Sequence, residues 1–175
     1  MDKNFIADVL AYDGDPIPAY EMLSERERRF FAAIASDDAL IAVLRGHLFV
    51  EADVTCLLAQ LFPGAEALID DLSYEQKIRR LKKAVTLPVG ISTSLKALGE
   101  LRNAFAHNLE RDLTEADDAR FFGALGEEYK PEVQELIAHG AFPEGPGARV
   151  RASIIVLHTG LSALRLALHP ERDKT

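Results

Sequence analysis

With 175 residues, 48% of them hydrophobic, the chain is long enough to bury the core of one domain. Its 28 acidic residues outnumber 20 lysines and arginines, for a net charge of −8. That argues against broad, non-specific nucleic-acid binding, which needs many phosphate contacts, and leaves room only for a small local basic patch.

The N-terminal MDKNFIADVLAYDG lacks the long apolar run of a signal peptide, and no stretch reads as a membrane span. A single cysteine, Cys56, rules out an internal disulfide framework and fits a reducing cytosol, so the expected location is cytoplasmic. Residues 1–23 read as a short irregular N-terminal arm, because DGDPIP puts two prolines and a glycine within six positions. One helical domain is expected over 24–170, followed by a flexible tail, 171–175.

Ser24-x-x-Glu27 is a capping-box pattern and predicts a short helix from about Glu25 to Ala35, after which Ser36 or Asp37 caps the next. That next helix, about 38–62, ends at Pro63-Gly64. Leu40, Val43, Leu44, Leu48, Leu58, Leu61 and Phe62 are its expected apolar face, with Cys56 as a buried, inert thiol. His47 and Glu51 lie four apart in the middle of that face. A carboxylate there is costly unless it is paired. Glu51 is therefore read as satisfied by His47 or by an arginine from a neighbouring helix, with Arg102 the obvious one; it can also serve to orient Arg102 towards a phosphate. His47 is not read as a metal ligand, since no second His or Cys stands at ligand spacing.

Ser73-x-x-Gln76 is a second capping box and starts a helix to about Val85. It carries Lys77, Arg79, Arg80, Lys82 and Lys83, a basic cluster in an acidic chain. The cluster reads either as a solvated helix face or as a local phosphate-tracking patch. Leu87-Pro88-Val89-Gly90 breaks the chain, and Ser92 or Thr93 can cap the motif-bearing helix beyond it.

The stretch Leu95 to Glu110, LKALGELRNAFAHNLE, carries the densest chemistry. At about 100° per residue, Leu98, Leu101, Phe105 and Leu109 share one stripe of a core-facing helix, with Lys96, Glu100, Asn103 and His107 opposite. Asn103 and His107, four apart, can touch across one turn. Arg102 lies on the flank of the stripe, roughly 140° round from His107. It reaches that imidazole only by curling, or through a second copy of the chain.

Beyond it, Thr114-x-x-Asp117 starts another helix packed by Phe121, Phe122, Leu125 and Tyr129, and Pro131 begins a short one to about Ala138. HGAFPEGPGA, 139–148, is a Gly/Pro-rich loop. The final helix has Val150, Ile154, Leu157, Leu161, Leu164 and Leu168 in a heptad seam, with Ile155, Val156 and Leu166 left for a second contact surface. His139, His158 and His169 have no partners at useful spacing and are assigned no role. No P-loop, G-x-S-x-G, H-E-x-x-H or CxxC pattern occurs, and no metal site or cofactor is expected.

Arg-x4-His, written RNAFAH at 102–107, resembles the R-x4-6-H motif of the HEPN superfamily, including the Asn directly after the Arg. The stretches RGHLFVEADVTCLLAQLF (45–62) and SYEQKIRRLKKAVTL (73–87) resemble earlier helices of the branch that includes mannitol-operon-repressor-like bacterial proteins. The likeness covers roughly 38–168, and its specific part is the six-residue motif. It implies an all-α, antiparallel helical bundle. It also implies a metal-independent endoribonuclease, of toxin or RNA-processing type, working as a homodimer with Arg102, Asn103 and His107 catalytic. The other state known in the family is a non-catalytic regulatory or binding module, working through an antitoxin or other protein partner.

The residue types suit the chemistry. Cleavage by RNA's own 2′-hydroxyl needs a base, an acid for the leaving 5′-oxygen, and positive charge on the crowded phosphorane. Histidine titrates near neutrality and performs either proton transfer, while arginine forks onto phosphate oxygens. One Arg/His set is thin for all three tasks, and a two-fold dimer would supply two. The competing structural reading has Arg102 bolted to Glu51 and His107-Asn108 merely ending a helix, where a histidine suits the dipole and Asn is a common terminator.

Overall fold

The computed structural model describes residues 21, 23–108, 110–140, 142 and 145–168. The arm expected over 1–23 therefore lies outside the described residues save Glu21 and Leu23, as do Leu109, His169 and the tail. The described chain is an all-α helical bundle. Its elements are α1 (Glu25–Ile34), α2 (Ala39–Leu61), α3 (Glu66–Asp70), α4 (Tyr74–Ala84), α5 (Val89–Ala106), α6 (Glu115–Ala124), a 3-10 turn (Glu127–Tyr129), α7 (Lys130–Ala138) and α8 (Ala148–Leu168).

Three helix starts are fixed by side chains the sequence announces. Capping boxes at Ser24/Glu27, Ser73/Gln76 and Thr114/Asp117 all form, each satisfying two backbone N–H groups that the first turn leaves without partners. Two expectations shift. Asp38, not Ser36 or Asp37, caps α2, its carboxylate accepting from Leu40 N at 2.8 Å and Ile41 N at 3.3 Å. α5 begins directly after Pro88, ahead of Ser92 and Thr93; Pro88 takes the N-cap position with φ −51° and ψ 141° and no side-chain cap.

The core gathers on α2 and α8. α2 packs against α8, α1, α5 and α4, and α8 also packs against α6 and α7. Along α2 the buried positions are Ala39, Ala42, Val43, Gly46, His47, Val50, Asp53, Val54, Leu57 and Leu58, which from Val43 on follow the i, i+3, i+4, i+7 recurrence of one helix face. The expected face was partly misplaced: Leu48 is 59% exposed and Phe62 38%. Leu48 stands five positions after Val43, which rotates it well away from the core stripe. Cys56 is likewise exposed; Val54, Leu57 and Leu58 take the inward positions around it.

Some polar groups inside this core are matched to partners, while the Ser94 and Ser153 hydroxyls are buried without a hydrogen bond among the described residues. Asp53 on α2 meets Arg26 Nη2 at 2.6 Å through Oδ1 and His158 Nδ1 of α8 at 2.5 Å through Oδ2. His158 thus has a buried partner that its sequence neighbourhood does not show. Asp118 of α6 accepts through Oδ1 from Gly147 N at 3.0 Å and Val150 N at 3.2 Å, capping α8 from another element. Arg151 is buried and donates to the Ser36 carbonyl at 3.0 Å, just past α1; burial lowers its pKa below the usual guanidinium value, against the pull of Asp37 and Asp118.

The heptad seam of α8 holds over its first four positions: Val150, Ile154, Leu157 and Leu161 are buried, as are Ile155 and Val156, while Leu164 and Leu168 are only partly buried and Leu166 is exposed. Contrary to expectation, this helix is long and apolar enough to cross a membrane by length and composition alone. Its residues 150–158 are all buried against the bundle, which is how a core helix meets the same criterion.

Candidate functional site

A cavity of about 970 Å³ opens beside α2, α4 and α5. His47 and Glu51 of α2 line it, with Tyr74, Ile78, Arg79, Lys82 and Lys83 from α4 and Lys96, Gly99, Arg102 and Asn103 from α5. Tyr74 fixes how closely the last two helices meet. Its hydroxyl donates to the Leu95 carbonyl at 3.0 Å, and its ring lies where a Cβ on Gly99 would come within 3.0 Å of it. Burial, with the Glu51 carboxylate adding to it, pushes the Tyr74 phenol well above its ordinary range.

Glu51 finds a different partner from the one expected. Its Oε1 accepts from Lys77 Nζ at 3.1 Å, and its Oε2 lies 3.8 Å from His47 Nδ1. Arg102 instead donates from Nη1 to Asn103 Oδ1 at 3.0 Å and is exposed. Lys77, expected among the phosphate-facing cations, is turned inward, with its side chain 9% exposed. The reason is legible in the spacing: Tyr74, Lys77, Ile78 and Leu81 recur as i, i+3, i+4, i+7, so Lys77 rides the inward stripe. Such a cation stays buried only beside a compensating charge, which Glu51 supplies.

Of the other basic residues on α4, Arg79 is exposed and pairs with Glu75 at 3.5 Å, and the Arg80 guanidinium lies 5.8 Å over the Phe62 ring. Lys82 and Lys83 are exposed at the cavity and have no ion pair among the described residues. Lys96 sits 3.8 Å from Glu100.

His47 is buried, its ring centroid 4.3 Å from that of Tyr74. Its Nδ1 is closed off from solvent without a hydrogen bond among the described residues. Burial lowers its pKa from 6.5 to about 4, with Glu51 opposing and Arg102 assisting. The imidazole is therefore neutral at physiological pH.

The motif residues divide. Arg102 and Asn103 line the cavity; His107 does not. α5 ends at Ala106, and His107 is its exposed C-terminal cap, with φ −93° and ψ −11°. Asn103 spends its side-chain carbonyl on Arg102 rather than on His107, whose tie to Asn103 is the backbone bond from its own N to the Asn103 carbonyl at 3.2 Å. Asn108 follows as a terminator, its side chain accepting from Glu110 N at 3.2 Å. Leu98, Leu101 and Phe105 are buried beneath them as the periodicity requires. Lys96 and Tyr74 were not singled out as site residues. Lys96 sits on the predicted polar face of α5, but Tyr74 becomes visible only once α4 and α5 are laid together.

No protein-family model matches the chain, and no curated protein and no solved structure matches it.

Proposed function

We propose that the chain is a HEPN-like, metal-independent endoribonuclease that acts as a homodimer in the cytoplasm. The observation that carries the reading is the placement of Arg102. With Glu51 already held by Lys77, Arg102 is not a bolt of the bundle; it is exposed at the cavity, tied to Asn103 alone among the described residues. A guanidinium held by one light contact is available to fork onto a phosphate. In the proposed reaction an imidazole removes the proton from the RNA 2′-hydroxyl, whose oxygen attacks the adjacent phosphorus. The 5′-oxygen leaves and takes a proton from a second acid, giving a 2′,3′-cyclic phosphate and a free 5′-hydroxyl. Arg102 neutralises the phosphorane, and each site takes its Arg102 from one copy and its His107 from the other.

The test is incubation of labelled total RNA with wild type and His107→Ala in EDTA. Because His107 is exposed at a helix end, its truncation leaves the bundle folded. Cyclic-phosphate ends are expected from the wild type and none from the variant; equal activity of the two proteins removes His107 from the reaction.

A second reading draws on a different observation: His107 lies off the cavity and has no side-chain partner to orient it among the described residues. That placement favours a non-catalytic HEPN-fold regulatory module resembling the mannitol operon repressor, working through a protein partner such as an antitoxin. Cleavage by neither protein would select it.

A further inference from the structure

The cavity is charged against the trend of the whole chain. Its lining carries five cations, Arg79, Lys82, Lys83, Lys96 and Arg102, against the carboxylates of Glu51, Glu75 and Glu100, in a protein of net charge −8. One of those carboxylates, Glu51, is already neutralised by Lys77. Lys82 and Lys83 have no ion pair among the described residues, so their charge is unspent. In the same cavity, Glu51 has given Oε1 to Lys77 and keeps Oε2 as an acceptor, facing a neutral imidazole 3.8 Å away that forms no hydrogen bond with it. Tyr74, Ile78 and Gly99 complete much of the remaining wall. The volume, about 970 Å³, is that of a small-molecule site.

We propose that this cavity binds a small phosphate monoester whose body carries a hydroxyl or amino donor, the donor meeting Glu51 Oε2 and the phosphate meeting Lys82 and Lys83. Ammonium groups grip a phosphate as mobile point charges. The free oxygen of the Glu51 carboxylate takes a hydrogen-bond donor, which the body of the ester supplies while its phosphate is held by the lysines. Nucleotides and sugar phosphates share this chemistry, and titration separates them. The proposal does not depend on cleavage, since His107 lies outside the cavity.

The experiment is calorimetric titration of the full chain with AMP and with glucose 6-phosphate, beside adenosine, glucose and inorganic phosphate. At least one monoester is expected to bind, with its dephosphorylated counterpart and inorganic phosphate each weaker by about tenfold or more. AMP binding alone assigns the nucleotide class, and glucose 6-phosphate alone the sugar class. In the Lys82→Glu/Lys83→Glu protein, both changes being on exposed positions, affinity falls by about tenfold or more while the melting transition is kept. His107→Ala binds as the wild type does, so an inactive nuclease and an empty cavity are told apart. The proposal is overturned if neither monoester binds, if a counterpart or inorganic phosphate binds equally, or if the double variant retains full affinity.

Discussion

His47 is where one side chain sets a property of the whole fold. It is held neutral by burial between α2 and Tyr74, its pKa lowered from 6.5 to about 4. The charges that face it are Glu51 on its own helix and Arg102 from α5, pulling in opposite directions, with Lys77 of α4 behind Glu51. In the unfolded chain the imidazole titrates near its ordinary value. Between pH 6.5 and 4 the unfolded state therefore takes up a proton that the folded state refuses, and stability is lost as pH falls through that window. At about 1.4 kcal/mol per unit, the loss from this residue approaches about 3 kcal/mol at pH 4. Urea unfolding of wild type and His47→Gln at pH 7 and pH 4.5 measures it. The variant should lose less stability on acidification than the wild type. Parallel losses would mean that His47 is not the group refusing the proton.

At the scale of the helices, the contact between α5 and the chain after α6 sets how the motif helix is seated. A Cβ on Gly90, in the first turn of α5, would lie 2.6 Å from Gly126 Cα. Both partners there are backbone, which cannot swing aside. Gly90→Ala therefore gains up to about 1 kcal/mol in helix propensity and loses about 1–3 kcal/mol to overpacking, with a melting temperature a few degrees below wild type. Gly123→Ala is the control: it lies in α6 with nothing within 4 Å of its added Cβ, and it should melt at or above the wild type. If Gly90→Ala melted as high as Gly123→Ala, the close seating of α5 would be wrong. Local signals of this kind were the legible part of the fold. Capping boxes, Pro63-Gly64 and the stripes of α5 and α8 act through neighbours in sequence, and they placed the long helices to within a few residues. Five-residue α3 was not legible, since Ala65 gives it no side-chain cap. Nor were the partners of buried charges. Nothing along the chain says that Glu51 meets Lys77 or that Asp53 meets His158, because those choices depend on how the helices are laid together. The spacing did contain the hint that Lys77 faces inward, and its charge masked it.

For the whole molecule, the separation of Arg102 from His107 decides what a working nuclease must look like. Within one copy, Arg102 lines the cavity while His107 caps the helix outside it. The proposed nuclease therefore requires Arg102 of one copy to work with the imidazole of another. That requirement has a quantitative signature. Arg102→Ala and His107→Ala, each inactive alone, should restore cleavage when refolded together in equal amounts. A mixed dimer then carries one site with both intact groups and one with neither. With half of the dimers mixed and one of their two sites alive, about a quarter of wild-type activity is expected. Differently tagged chains confirm that mixed dimers have formed. Mixed dimers that stay inactive would show that Arg and His act from the same chain, or that both copies of each are needed in one shared centre. Either result would rule out two separate composite sites as the reason for dimerisation.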